Sequence, residues 1–353
     1  MGWIMKKILL SILLIFSFCL TGCGKYGESD VLGEFTKKVE KAKSYYVEGK
    51  MELMNNEDIY NYDVKVSYKE GDFYKVHLTN TTNNHEQVIL RNEDGVYVVT
   101  PSLNKSFKFQ SDWPYNNSQS YLLNSLLDDL KGDETKTFEE TDKNYVFTTV
   151  VNYPNNQKLV KQKIYFDKNV NVEKVEVLDT NNNVQIRMEF SKIDLNSKFN
   201  DDYFKLNTLI IQETKPEENK QDTTDNTDKT KDTDKTKETS TIEDIIYPMY
   251  LPTNTYLTNQ EKVSKDDGQR LILTFDGDSS FMLIEETVSI PDEHEIIPTF
   301  GELEMFADTI AVVSDNSVNW VSNGIEYYVV SDAMSKNEIL EVARSVSVLP
   351  VSK

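Results

Sequence analysis

Carboxylates and histidines are the side chains of this sequence that could perform acid–base or metal chemistry. Adjacent acidic pairs occur at Asp128-Asp129, Glu139-Glu140 and Glu285-Glu286. Neighbouring side chains point to opposite faces of a strand and about 100° apart on a helix, so these are poor acid–base pairs. The three histidines have no partner at the spacing of a metal-binding motif. These residues therefore predict neither a catalytic site nor a metal site.

Other chemical signatures are also missing from the sequence. It has no glycine-rich phosphate loop and no G-x-S-x-G nucleophile elbow. Two acidic turns, Asp266-Asp267-Gly268 and Asp276-Gly277-Asp278, lack the spaced ligands and distal Glu of a calcium-binding EF-hand loop. The net charge is −21, from 38 basic and 59 acidic side chains, which opposes binding to nucleic-acid phosphates. We expect a protein that is not an enzyme, with no cofactor and no nucleic-acid partner.

Cys23 is the residue with a predicted covalent modification. Two lysines precede an apolar run, Ile8–Leu20, which is too short for a stable membrane span and is typical of an export signal. The following Leu20-Thr21-Gly22-Cys23 resembles the lipobox of bacterial lipoproteins, in which a diacylglyceryl group is attached to the cysteine. The resemblance implies a signal peptide over residues 1–22 and a palmitate-type lipid anchor that holds the protein on the extracytoplasmic face of the cell membrane. The alternatives are an ordinary signal peptide or a buried core strand, each with a coincidental cysteine.

Composition divides the rest of the chain into three regions. Residues 213–241 contain no hydrophobic residue except Pro216 and repeat Thr-Asp-Lys-Thr-Lys. Such a segment cannot bury enough surface to offset the entropy of ordering its backbone, so we expect a disordered Thr/Asp/Lys linker. Residues 23–212 and 242–353 flank it as two expected domains. The second is the more acidic, with 6 basic and 20 acidic side chains and a charge of −14.

The first domain has the pattern of a helix followed by many strands. Apolar residues at helical spacing between Leu32 and Ala42 predict the opening helix. Period-two alternation, as in Tyr60–Tyr68, then predicts a series of strands. One helix interrupts them, with Ser118 as its expected N-cap and Gly132 at its end. The order favours an α+β fold in which one strongly curved antiparallel sheet is covered by helices.

The second domain has its own elements. Asp276-Gly277-Asp278 predicts a hairpin between two strands, and three more strands follow within residues 309–330. Ser335 and Glu338 form a capping-box pattern ahead of an apolar helix. We expect a small acidic α+β domain.

Several short segments resemble known families. The opening helix leading into Ser44–Gly49, the segment Gly95–Pro101, the leucine helix after Trp113-Pro114 and the segment Asp202–Leu206 resemble the LolA/LolB lipoprotein-carrier superfamily. A lipidated domain of this kind resembles the sporulation and germination lipoproteins of endospore-forming Firmicutes. The string from Trp320 to Ala343 resembles a small domain of exported Firmicute lipoproteins. Together they imply a LolA-like half-barrel, and a two-domain layout like that of RseB-type periplasmic sensors.

The resemblance also implies candidate binding residues. In the LolA-like family the sheet and its helices enclose an apolar cavity for acyl chains. The candidate lining residues are strand tyrosines and leucines of the inserted helix: Tyr46, Tyr60, Tyr62, Tyr68, Tyr97, Leu122, Leu123, Leu126 and Leu127. The alternative is that these side chains fill an ordinary core.

Two functions remain open at this point. The first is a membrane-anchored protein that acts by protein binding in spore envelope or cortex assembly or in germination, and the resemblance implies a cell-wall amidase as its exported partner. Sheet edges or the acidic second domain would make that contact. The second is a lipid-binding sensor or holder with acyl chains in its cavity. The anchoring membrane would be that of the forespore, the mother cell or the vegetative cell.

Overall fold

The computed structural model describes residues 26–55, 58–210, 241–306 and 308–346. The predicted signal peptide, Cys23 and nearly all of the predicted linker lie outside these residues, so the signal peptide, the lipid anchor and the domain boundaries stay predictions. Within the described ranges, none of the helices combines the length and the apolar character needed to cross a bilayer.

Helix α1 (Glu28–Lys41) opens the described chain. Acidic residues in its first turn and basic residues in its last turn match the helix dipole. The backbone N–H of Gly27 donates to the Asp30 carboxylate at 2.9 Å and closes the first turn. The face turned towards the sheet consists of Val31, Phe35 and Val39.

Eleven strands and helix α2 (Leu123–Gly132) form the rest of the first domain. The strands are β1 (Ser44–Asn55), β2 (Asp58–Lys69), β3 (Phe73–Asn80), β4 (Glu86–Asn92), β5 (Gly95–Thr100), β6 (Lys105–Phe109), β7 (Thr137–Glu140), β8 (Tyr145–Val150), β9 (Leu159–Phe166), β10 (Val172–Asp179) and β11 (Val184–Asp194). Their spatial order is β6-β5-β4-β3-β2-β1-β11-β10-β9-β8-β7, with antiparallel neighbours throughout. Short 3₁₀ turns lie at Pro101–Leu103 and Leu206–Thr208.

Eight strands and helix α3 (Lys336–Arg344) make up the second domain. The strands are β12 (Thr255–Lys265), β13 (Gly268–Gly277), β14 (Phe281–Thr287), β15 (Glu295–Thr299), β16 (Glu302–Phe306), β17 (Thr309–Val313), β18 (Ser317–Ser322) and β19 (Ile325–Val330). Seven of them form a sheet in the order β12-β13-β14-β19-β18-β17-β16. The predicted capping box is present, because Ser335 and Glu338 bond each other's backbone N–H groups at the start of α3.

Strand β15 crosses from the second domain to the first. It pairs in parallel with β6 and becomes the twelfth strand of the first sheet, with Ile297 opposite Phe107. Polar contacts hold its start, since a ring nitrogen of His294 lies 2.8 Å from the Ser106 hydroxyl. The N–H of Glu295 also donates to the carbonyl of Asn104 at 3.1 Å. Backbone pairing therefore joins the two domains.

Hydrophobic side chains pack on both faces of the first sheet. We call the face under α1 and α2 the helix-covered face, and its core also includes Leu303 and Ile310 of the second domain. On the opposite, outer face a smaller cluster forms where Phe204 packs on β4 and β5. A separate core lies between α3 and the seven-stranded sheet. The α+β fold expected from the sequence is confirmed, with an open sheet and no closed barrel.

The inserted helix starts later than the sequence predicts. Its N-cap is Leu122, whose side chain makes no capping bond. Ser118 instead donates to the Asp129 carboxylate at 3.0 Å and accepts the Asn152 N–H at 2.9 Å. Its hydroxyl is therefore used to join the loop to the far end of the helix.

Gly49 is required where β1 approaches β11. The register between these strands shifts at Glu48/Gly49, and a Cβ at Gly49 would lie under 3.0 Å from the backbone oxygen of Glu189. We expect Gly49→Ala to lower the free energy of unfolding by about 1–3 kcal/mol, because overpacking forces the backbone to move. Gly33→Ala in α1 is the control, since a Cβ there meets nothing, and it should stabilise the protein by about 0.5–1 kcal/mol. Urea unfolding of both variants measures these changes. Equal changes in the free energy of unfolding would contradict the close approach at Gly49.

Candidate functional site

A cavity of about 800 Å³ lies where the two domains meet, within the size range of ligand sites in proteins. The first domain contributes the end of β1, the start of β2, the start of β11 and the loops at residues 117–121 and 153–159. The second domain contributes β16, the end of α3 and residues 249–250. We call this space the interdomain cavity.

Apolar and aromatic side chains form most of its wall. They include three flexible methionines on two strands, and methionine adapts to ligands of irregular shape. The principal members are Met51, Leu53, Met54, Tyr121, Tyr153, Ile186, Leu303, Met305 and Phe306. Such a wall suits an apolar group better than a charged one.

An ion pair closes one side of the cavity. The Arg344 guanidinium at the end of α3 lies 3.2 Å from the Glu304 carboxylate on β16 and donates to the Asn155 carbonyl of the first domain at 3.2 Å. The Asn155 amide in turn donates to Glu304 at 3.3 Å. Burial raises the pKa of Glu304, and Arg344 and Asn155 oppose that rise. This buried cluster connects the domains across the cavity wall.

The second domain supplies an exposed apolar strip at the rim. Met249 is 85% exposed and Tyr250 is 46% exposed, and both line the cavity. Hydrogen bonds from their N–H groups to Ser345 hold the strip against the end of α3 at 3.1 and 3.0 Å. Exposed apolar side chains beside a cavity are typical of a binding surface.

Glu285 fixes the segment that leads into this strip. Its buried carboxylate accepts the Ile246 N–H at 3.0 Å, and its second oxygen has no partner among the described residues. Burial raises the pKa of Glu285 to about 7. Because this exceeds the ordinary value of 4.5, its contribution to stability is complete below about pH 4.5 and is lost as the pH rises to 7.

We therefore expect Glu285→Gln to be more stable than the unchanged protein by about 3 kcal/mol at pH 8, with the difference vanishing near pH 4. Its neighbour Glu286 provides the control, because ion pairs with Lys265 and Arg270 lower its pKa. Glu286→Gln should destabilise the protein at pH 8. Thermal unfolding between pH 4 and pH 8 measures the stability of both variants. If Glu285→Gln were less stable than the unchanged protein at pH 8, the raised pKa of Glu285 would be refuted.

The residues predicted from the sequence to line a cavity lie elsewhere. None of the nine lines the interdomain cavity. Leu122, Leu123, Leu126 and Leu127 are buried in the core of the helix-covered face, where Tyr62 is also buried and Tyr60 and Tyr68 pack at its margin. These seven side chains thus pack with the hydrophobic core of that face.

Tyr46 and Tyr97 do not face the helices at all. The face of a strand alternates with each residue, and Tyr45 and Val47 occupy the helix-covered face of β1, so Tyr46 points outward, where Lys192 lies over its ring. Tyr97 belongs to the outer cluster with Phe204. Tyr46 and Tyr97 therefore lie on the sheet face opposite the other seven candidate residues.

One further sequence signal falls on the cavity. The apolar positions that alternate along β1 in the sequence include Met51 and Leu53, and both residues line the cavity. The contribution from residues 249–250 and 303–306 has no comparable sequence signal. Within the described residues, no group of three or more His, Cys, Asp or Glu could hold a metal ion.

Comparison with known proteins gives a family for the chain. Residues 5–204 match the family described as "Sporulation protein YdcC-like". The chain is 34% identical over 350 residues to the sporulation protein YdcC of Bacillus subtilis (strain 168), which covers 97% of this chain and 98% of that protein.

Two solved structures show more distant likeness. The MucA/MucB complex of Pseudomonas aeruginosa is 11% identical with a TM-score of 0.31, over 89% of this chain and 97% of that one. The CwlD amidase of Clostridioides difficile in complex with the GerS lipoprotein gives 18% identity and a TM-score of 0.30, over 50% and 98%. Likeness at this level carries no argument about this chain. The sequence matches carry the assignment and confirm the sporulation resemblance: the chain belongs to the YdcC-like family of sporulation proteins.

Proposed function

We propose that this protein is a membrane-anchored, non-enzymatic sporulation protein that binds an exported partner protein in the interdomain cavity. The anchor is the lipid predicted on Cys23. The observation that carries the proposal is the cavity of about 800 Å³ between the domains, with the exposed Met249 and Tyr250 at its rim. Membership of the YdcC-like family supplies the sporulation context.

The cavity wall supports binding more than catalysis. Its carboxylates are engaged or exposed: Glu304 pairs with Arg344, and Glu341 pairs with Lys158 at 2.9 Å. Met51, Met54 and Met305 provide adaptable apolar contact instead. A partner would insert an apolar segment there and contact the rim strip.

A cell-wall amidase is the partner class that we propose. The sequence resemblance to the sporulation and germination lipoproteins implies this class. The −14 charge of residues 242–353 would accelerate encounter with a basic exported protein, and that acceleration should weaken as salt rises.

The alternative function is a lipid sensor or holder that uses the same cavity. The apolar wall of Met51, Leu53, Ile186 and Phe306 favours it. It requires acyl chains that copurify with the protein. Native mass spectrometry of the purified chain separates the two functions, because an acyl-sized adduct would be present only in the alternative.

Methionine substitutions test the proposed site. Met249→Asp should reduce capture of the partner from extracts of sporulating cells at least tenfold, because a carboxylate cannot be buried without a large desolvation cost. Met282→Asp is the matched control, since Met282 is also an exposed methionine of the second domain (41%) but lies outside the cavity. It should leave capture unchanged. Equal loss in both variants, or in neither, would count against the cavity as the site.

A further inference from the structure

We infer that the anchored protein presents the interdomain cavity away from the bilayer that holds it, so that the occupant is an apolar segment of a water-borne protein rather than a lipid taken from that bilayer. This inference rests on the proposed function, because it requires the anchor at Cys23. It follows from the positions of helix α1 and the cavity, which lie at opposite ends of the same strands.

Helix α1 lies at one end of the first sheet, which we call the anchor end. Tyr26, just before α1, stacks on Tyr145 at the start of β8, with ring centres 6.2 Å apart. Phe35 packs edge-on against Phe166 at the end of β9, at 4.9 Å. The Lys38 ammonium donates to the carbonyl of Val170 and the side chain of Asn171 in the β9–β10 turn, at 3.1 and 3.0 Å. The whole helix is thus fixed at the anchor end.

The cavity lies at the other end of the same strands. Leu159, at the start of β9, lines it, whereas Phe166 at the end of β9 meets α1. Seven residue steps at about 3.3 Å place these two residues roughly 23 Å apart. On β1 and β2 the lining residues are likewise those at the hairpin tip, from Met51 to Asp58, far from the point where α1 joins β1.

The predicted anchor leaves little freedom to reverse this arrangement. Only three residues stand between Cys23 and Gly27, which precedes α1. Four steps of at most 3.3–3.6 Å reach about 14 Å. A tether of that length keeps the anchor end near the bilayer, whereas the cavity lies at the far end of the strands.

The cavity also has the surface chemistry of a protein-binding site. Polar side chains such as Asn156 and Gln185 stand among the methionines and tyrosines of its wall. A peptide segment offers apolar side chains and also backbone groups that can form hydrogen bonds with these amides. A hydrocarbon acyl chain has no hydrogen-bonding group to pair with them.

The test uses the mature chain, residues 23–353, in which Cys23 is the only cysteine. Its thiol is coupled to maleimide lipids in vesicles of phosphatidylcholine and phosphatidylglycerol that carry an acceptor dye on their headgroups. A fluorescent amino acid replaces Asp142 in the β7–β8 turn at the anchor end, or Thr180 in the β10–β11 turn at the cavity end. We expect energy transfer from position 142 to exceed that from position 180 several-fold.

Equal transfer from the two positions, or stronger transfer from position 180, would overturn the inference. Withdrawal of a fluorescent acyl lipid from the same vesicles into the protein would also overturn it, because the occupant would then be a lipid of the anchoring bilayer. The coupling replaces the biological anchor and needs no partner. Failure here therefore leaves the Met249 and Met282 comparison of the proposed function intact.

Discussion

Arg344→Ala should lower the free energy of unfolding by about 3–5 kcal/mol, since it leaves a buried carboxylate without its counter-ion. Glu304 is 9% exposed, and its carboxylate contacts Arg344 and Asn155 among the described residues. Asn155 lies in the first domain, whereas Glu304 and Arg344 lie in the second. The loss should therefore appear as weakened contact between domains, measured by urea unfolding and by faster proteolysis at the junction.

The pH dependence of this variant provides an internal check. Burial already raises the pKa of Glu304, and removal of Arg344 should raise it further. A carboxyl with a raised folded pKa gives stability at low pH that is lost as the pH rises. The defect of Arg344→Ala should therefore shrink as the pH falls. The double variant Arg344→Met with Glu304→Leu should recover much of the stability, and a double variant as unstable as Arg344→Ala would contradict the account.

Leu126→Ala should destabilise the protein by about 2–5 kcal/mol without changing partner binding, because it opens a cavity in a close-packed core. Leu126 is fully buried in α2 and does not line the interdomain cavity. Met54 lines the interdomain cavity, so its substitution should affect binding more than stability. Met54→Ala should lower the free energy of unfolding by less than about 1 kcal/mol and weaken partner binding.

Equilibrium unfolding and partner capture, measured on both variants, separate the two roles. If Leu126→Ala were well tolerated but lost its ligand, the leucines of α2 would be binding residues, as the sequence resemblance implies. If Met54→Ala changed neither quantity, the interdomain cavity would have no binding role.

The fold could be predicted from the sequence where alternation and capping act locally. Strand β2 contains the alternating segment predicted at Tyr60–Tyr68, and the capping box at Ser335 and Glu338 begins α3 as predicted. Strand β12 gave no signal, because all of its residues but Thr255 are exposed and no apolar face alternates. Strand β15 also escaped prediction, since it joins β6 through its backbone and adds no side chain to a core.

The candidate site was harder to predict because it is formed by contact between the two domains. Met54, Tyr153, Met249 and Arg344 meet only after the second domain has docked, and nothing in their spacing indicates that they share a wall. The tyrosines and leucines that stood out in sequence did so because the core needs large apolar side chains. Prominent apolar patterns thus indicated the core, whereas the cavity is lined by residues at its margin.

The most direct test of a protein partner at the cavity is photo-crosslinking in sporulating cells. A photoreactive amino acid at Met249 should yield one discrete adduct with an exported protein, and the same amino acid at Met282 should yield none. Adducts with lipid alone at Met249, or the same protein adduct from both positions, would contradict the account.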